Sequence, residues 1–316
     1  MMRNFSRGAA LSAAAIMIAS TALPALAASQ APNAPEGAQA GCKTAPGVEV
    51  ICAVNYAGDS SAAHTLDIYL PEGVKDAPVV IMIHGGGWMK GGSYALGRQS
   101  IYFAQHGLAA VSINYTLSTP DVSTWPTTFA EVEDAVDWVR SHADRYDIDG
   151  DTLGAYGVSA GGNLASLLHT SSSIPIATTV TLSAPMDLQM TYNDGPGTRT
   201  AVSQYLGCDP NDCIDMAADA SPDAFVDRRD QSMLFFNSSK ELVPLSQATK
   251  MDDELSDMGV PHELVVLPGT MHAARYECES VLVDGVTDTV IDASLSWLSE
   301  ELQQDAVQVN GSYCPR

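Results

Sequence analysis

One serine stands in a setting where backbone geometry can make it reactive. Gly157-Val158-Ser159-Ala160-Gly161-Gly162 follows the apolar run Leu153–Tyr156 and opens a stretch with helical spacing. A sharp strand-to-helix turn holds its middle residue in a strained backbone region, which requires small residues two before and two after. Such a turn lifts the Ser159 hydroxyl clear of a sheet and sets it near the positive end of the next helix. A second signal lies roughly 70 residues upstream, where His84-Gly85-Gly86-Gly87-Trp88 follows the apolar run Val79–Ile83. Consecutive glycines let main-chain N–H groups approach an oxygen with no Cβ in the way. Aimed at a developing oxyanion, each such donor is worth roughly 3–4 kcal/mol. A phosphate cradle is the rival reading, but no Lys-Ser/Thr follows these glycines and no GxGxxG spacing occurs. The chemistry these residues suit is nucleophilic attack on an acyl carbon, with Ser159 as nucleophile. Gly86, Gly87 and Ala160 are the candidate oxyanion donors, and Trp88 is the candidate substrate contact.

A serine nucleophile needs a base, and three of the seven histidines follow Ser159: His169, His262 and His272. His169 falls on the helix after the serine, and His262 opens a predicted strand. His272 sits in the loop after the predicted strand Glu263–Leu267. Taken together, HGGGW at 84–88, GVSAGGNLA from Gly157 and Pro268-Gly269-Thr270-Met271-His272-Ala273 resemble the α/β-hydrolase fold carboxylesterase/lipase family with an HGGGW oxyanion motif. The nearest likeness is to its feruloyl/acetyl esterase-like, BD-FAE-type group, and it runs from about residue 60 to 300. It implies an α/β-hydrolase fold, acyl-ester chemistry, a triad in the order nucleophile, acid, base, and His272 as the base. His84 and His106 then read as structural, with His84 bracing the glycine loop.

The acid departs from the family's common pattern. Related enzymes usually carry Asp four residues before the Pro of a Val-Pro pair, but in Asn237-Ser238-Ser239-Lys240-Glu241-Leu242-Val243-Pro244 that place holds Lys240. A lysine cannot accept a hydrogen bond from an imidazole. Glu241 is adjacent, and its longer side chain compensates for a shift of one residue; some members of the family similarly show NSxxE. Asp187, Asp252 and Asp253 remain alternatives.

The elements that must position these groups alternate. Predicted strands are Val48–Asn55, Thr65–Leu70, Val79–His84, Ala109–Tyr115, Leu153–Tyr156, Thr178–Ser183, Met233–Asn237 and Glu263–Leu267. The middle ones are continuously apolar, as parallel strands buried on both faces require. Predicted helices are Phe129–Val139 with Pro126 near its start, Ala160–Thr170, Ser246–Met258 and Thr287–Gln304. Alternation of this kind predicts an α/β fold: a mostly parallel eight-stranded sheet with helices on both faces. Residues 186–230, rich in Asp, Gly and Pro, interrupt it and form a candidate small cap.

The chain has 316 residues and a formal charge of −23. Its apolar fraction of 46% supports a substantial core and excludes a disordered polymer. The acidity argues against nucleic acid, which needs clustered Lys and Arg, and mildly favours neutral esters over anionic ones. Arg3 and Arg7, the uncharged run Ala9–Leu23 and Ala25-Leu26-Ala27 read as a secretory signal peptide over 1–27. The run is too short for a membrane span of about 20 residues, so no stable anchor is expected after processing. Residues 28–45 read as a flexible leader and 46–316 as the hydrolase domain. Six cysteines in an exported chain predict three disulfides: Cys42–Cys52, Cys208–Cys213 and, by what remains, Cys278–Cys314. No CxxC or HxxxH pattern supports a metal site, and the chemistry requires no cofactor. The expectation is a secreted serine ester hydrolase acting on small-molecule esters. A peptidase or amidase on the same fold, a lactonase, and a non-catalytic binding protein are the alternatives.

Overall fold

Eight apolar runs assemble into one sheet in the computed structural model, which describes residues 42–303 and 312–314; the expected signal peptide lies outside them. The strands are β1 (Val48–Asn55), β2 (Thr65–Pro71), β3 (Ala77–Ile83), β4 (Ala109–Ile113), β5 (Ile148–Val158), β6 (Thr178–Leu182), β7 (Ser232–Ser238) and β8 (His262–Leu267). Their order across the sheet is β1-β2-β4-β3-β5-β6-β7-β8. β2 runs antiparallel to β1 and β4, and every pair from β4/β3 to β7/β8 is parallel.

The helices are α1 (Gly97–Gln105), α2 (Thr127–Ser141), α3 (Ala143–Tyr146), α4 (Ala160–Thr170), α5 (Leu188–Asp194), α6 (Arg199–Leu206), α7 (Ile214–Asp219), α8 (Leu245–Met258) and α9 (Val290–Glu301). β3 explains why continuous apolar sequence was the right strand signal. Val79, Ile81 and Ile83 pack into the layer holding Val132 and Val136 of α2 and Leu164 and Leu168 of α4. Val80 and Met82 turn to the other layer, with Phe103 of α1 and Ile291, Leu295 and Leu298 of α9. Both faces of the strand are covered, so alternation has nothing to select. α8 closes the β7 end through Met251 and Leu255 against Met233 and Phe235.

Three elements differ from expectation. α1 escapes the apolar pattern because Gln99 and Ser100 are buried in it. Both have internal partners: the Gln99 Nε2–H donates to Glu277 at 2.8 Å, and Ser100 Oγ donates to the Leu96 carbonyl at 2.9 Å. The helix expected from Thr287 starts at Val290, capped by Thr289, whose side chain accepts from the Asp292 N–H. Thr287 belongs instead to a hairpin, β9 (Ser280–Val283) and β10 (Val286–Thr289). Its turn residues Asp284 and Gly285 have φ of 48° and 78°, the primed geometry that Asp-Gly favours. β5 begins earlier than its apolar core because Ile148 and Asp149 pair with Ala77 and Pro78 ahead of a register shift.

Residues 186–230 contribute α5, α6, α7 and a short 3₁₀ turn at Pro222–Phe225. The disulfides join Cys42–Cys52, Cys208–Cys213 and Cys278–Cys314, as the sequence predicts. Among the described residues no helix is long and apolar enough to cross a membrane.

Candidate active site

Ser159 joins β5 to α4 with φ 55° and ψ −121°, a conformation that non-glycine residues rarely hold unless their surroundings impose it. Here the surroundings are two backbone approaches that only glycine permits. A Cβ on Gly161 would lie 2.1 Å from the Ile83 carbonyl oxygen and 2.4 Å from that of His84. A Cβ on Gly85 would lie 2.6 Å from the Val158 oxygen and 3.1 Å from the Ser159 Cβ. The glycine loop after β3 and the turn after β5 are thus pressed into each other, which explains why both motifs occur together. The Ser159 N–H donates to the Leu182 carbonyl at 2.8 Å, tying the turn to the end of β6.

Ser159 Oγ donates to His272 Nε2 at 3.0 Å, and His272 Nδ1 donates to Glu241 Oε2 at 2.5 Å. Glu241 is an acceptor on both oxygens, since the Ser238 N–H donates to its Oε1 at 2.6 Å. Its carboxylate is fully shielded from solvent. A carboxylate accepts only, so the proton of the neutral imidazole sits on Nδ1 and leaves Nε2 as an acceptor facing the serine. Lys240 is exposed, while its backbone N–H donates to the Gly269 carbonyl at 2.9 Å. That bond ties the loop carrying the acid to the loop carrying the histidine.

The other candidate acids are engaged elsewhere. Asp187 caps α5 through the Met190 N–H at 2.8 Å and meets Lys250 Nζ at 2.6 Å. Asp223 holds the same ammonium at 2.5 Å. Asp252 pairs with His262 at 3.3 Å, and Asp253 is exposed on α8. The remaining histidines have structural partners. His169 is held between Thr179 Oγ1 and the Gln231 carbonyl, both at 3.0 Å, and burial lowers its pKa to about 4. His262 Nδ1 donates to the Val260 carbonyl, and His106 Nδ1 to the Tyr102 carbonyl, each at 2.7 Å.

His84 braces the glycine loop. Its Nδ1 donates to the Gly85 carbonyl at 2.8 Å, and its ring stacks on Tyr115 with centroids 4.3 Å apart. Tyr115 in turn donates to the His84 carbonyl at 2.7 Å. Burial lowers the His84 pKa to about 4, so the ring stays neutral beside the site. Gly86 and Gly87 have φ of 126° and 65°, and among the described residues no backbone carbonyl takes either N–H. These amides and that of Ala160, first residue of α4, are the donors on hand for an oxyanion.

Trp88, the candidate substrate contact, is buried rather than open to the site. It is 2% exposed and stacks face to face on Tyr205 of α6, with centroids 4.5 Å apart. The ring anchors the glycine loop beneath the 186–230 insertion, and its Nε1–H has no hydrogen-bond partner among the described residues. Tyr205 and Tyr115 were missed in the sequence because a core aromatic carries no spacing signal. A Cβ on Gly87 would lie 3.1 Å from Ala201 Cβ and 3.6 Å from Met89 Cε, so α6 covers one side of the loop.

A serine at a strand-to-helix turn over a mostly parallel eight-stranded sheet, with helices on both faces, is the α/β-hydrolase architecture. The BD-FAE family model matches residues 66–255, more than half of the chain, and the chain belongs to the BD-FAE family. An alpha/beta hydrolase of Acanthamoeba polyphaga mimivirus is 28% identical over 225 residues, covering 65% of this chain and 63% of that protein. Esterase LipC of Mycobacterium tuberculosis (strain ATCC 25618 / H37Rv) is 31% identical over 108 residues, 33% of this chain and 26% of LipC. The chain therefore spans less than two thirds of the length of these curated relatives. Among solved structures, a truncated carbohydrate esterase from gut microbiota superposes with a TM-score of 0.68 at 24% identity, over 81% of this chain and 97% of that one. A thermophilic esterase of Thermogutta terrifontis with propionate bound gives 0.61 at 21% identity, over 82% and 94%. At such identities the likeness is one of fold.

Proposed function

We propose that this chain is a serine carboxylic-ester hydrolase that works through an acyl-enzyme. The reading rests on one observation above others: Ser159, His272 and Glu241 form an unbroken hydrogen-bonded line of 3.0 and 2.5 Å. In the first half-reaction His272 Nε2 takes the Ser159 proton as Oγ attacks the ester carbonyl carbon. The carbonyl oxygen gains the negative charge and turns toward the Gly86, Gly87 and Ala160 amides. As the intermediate collapses, the imidazolium returns that proton to the departing alcohol oxygen. In the second half, water loses its proton to Nε2 and attacks the acyl carbon, and Ser159 leaves with the proton restored. Glu241 stays ionised throughout and balances the imidazolium. Family membership and the esterase names among the relatives support ester rather than amide cleavage.

Export is part of the proposal. Three disulfides persist in oxidising compartments, and the Arg3 to Ala27 segment has the composition of a signal peptide. The test is a panel of p-nitrophenyl acyl, feruloyl and acetylated-sugar esters against the wild type and Ser159→Ala. We expect turnover of at least one ester class and a loss of about 10⁴-fold in the mutant. A folded Ser159→Ala keeping a tenth of wild-type turnover would remove the nucleophile.

A further inference from the structure

Behind His272 lies a chain of buried hydroxyls that touches no reacting atom. Ala273, the residue after the histidine, has φ 56°, and Ser183, the residue after β6, has φ 55°. L-residues seldom adopt either conformation, and two facing each other mark a contact the fold is built to keep. The contact is the Ala273 N–H donating to Ser183 Oγ at 2.8 Å. Ser183 Oγ lies 2.7 Å from the Tyr276 hydroxyl, which donates to the Phe236 carbonyl at 2.9 Å. A carbonyl cannot donate, so the tyrosine proton is committed to Phe236. The serine proton must therefore point to Tyr276, and the serine lone pair receives Ala273. The line reads Ala273 N–H to Ser183 O–H to Tyr276 O–H to the Phe236 carbonyl, with each proton used once and the direction fixed. Both side chains are fully buried, so water cannot replace a lost member.

Its anchor points are those of the triad. The Leu182 carbonyl, adjacent to Ser183, receives the Ser159 N–H, and the Ser183 N–H donates to the same Phe236 carbonyl at 2.8 Å. Two residues beyond Phe236 on β7 is Ser238, whose N–H holds Glu241. Nucleophile, base and acid are thus all referenced to the ends of β6 and β7. Ser159 reaches them by its own N–H, and Glu241 by accepting from the Ser238 N–H. The His272 loop is tied there through side chains. We infer that Ser183 and Tyr276 are positioning residues that set the distance from His272 to Ser159, and this rests on the triad reading above.

The experiment compares wild type, Ser183→Ala, Tyr276→Phe and the double mutant, by kcat and KM on p-nitrophenyl acetate and by thermal unfolding. Expected are falls in kcat of about 10- to 100-fold for each single mutant, as misplacement by a fraction of an ångström gives. KM should stay within about twofold, because the groups act on proton transfer and not on binding. The double mutant should lose no more than the worse single one, since one line broken twice is still one broken line. A folded Tyr276→Phe with wild-type kcat well below its unfolding temperature would overturn the inference, as would losses that multiply in the double mutant. Tyr276→Phe removes one oxygen without changing the ring, so it decides the matter even if Ser183→Ala does not fold. A wild type inert toward every ester would instead remove the triad reading itself.

Discussion

Glu241→Gln is the sharpest perturbation, because it changes one atom of a fully shielded group. In the wild type both carboxylate oxygens accept, one from the Ser238 N–H at 2.6 Å and one from His272 Nδ1 at 2.5 Å. A glutamine offers one acceptor and one donor to these two donors. With its oxygen toward Ser238, its NH₂ faces Nδ1 and selects the tautomer protonated on Nε2, which cannot take the serine proton. Flipping the amide restores the working tautomer but sets NH₂ against the Ser238 N–H, leaving a buried donor unpaired at about 1–3 kcal/mol. That penalty leaves between about one sixth and about one in 160 of the molecules competent. The competent ones also lack the charge opposite the imidazolium, worth about 4 kcal/mol at a separation near 4 Å and an effective dielectric of 20, or about 10³ in rate. The product is a loss of about 5 × 10³ to 10⁵, a range that contains the loss of about 10⁴ known for the carboxylate-to-amide change in a Ser-His-Asp triad. The assay is kcat/KM on p-nitrophenyl acetate, with circular dichroism to show an intact fold. A folded Glu241→Gln within tenfold of wild type would refute the reasoning.

The other predictions separate structural from catalytic charge, and staple from core. Asp187→Asn should keep activity within a few-fold, because Asp187 caps α5 and pairs with Lys250; loss of that pair should lower the unfolding temperature by a few degrees, and collapse of turnover would return Asp187 to the site. Lys240→Ala, at an exposed side chain, should leave kcat/KM unchanged. The Cys278–Cys314 link spans 36 residues and Cys208–Cys213 only 5, so their removal should cost about 4 and about 2 kcal/mol respectively; equal urea midpoints for the two double-serine variants would contradict this. Stability should fall as pH drops from about 6.5 to about 4. His84 and His169 are held near pKa 4 by burial, so the unfolded chain binds their protons first, and together they account for up to about 7 kcal/mol. Glu277, whose pKa burial raises, works in the opposite direction and blunts the fall. Urea titrations at pH 7, 5.5 and 4.5 on wild type and His169→Asn measure it, and an unchanged slope in the mutant would refute the assignment.

What the sequence determined was whatever one strand, one turn or one contiguous motif specifies. β1 runs from Val48 to Asn55 and α4 from Ala160 to Thr170, as their patterns predict. The glycines of the two loops announced close backbone approach, and the structure supplies the partners, Gly161 against Ile83 and Gly85 against Val158. Glu241 could be proposed over Lys240 because a carboxylate can accept from imidazole and an ammonium cannot. Tertiary structure decided the rest, where the cause lies far along the chain. Trp88 looked like a ligand contact within its motif, and Tyr205, more than a hundred residues later, turns it into core. Gln99 breaks the apolar spacing of α1 because its partner is Glu277. Asp187 and Glu241 are both carboxylates near strand ends. Which one faces His272 depends on where Lys250 lies and where the Ser238 N–H points, and sequence spacing measures neither.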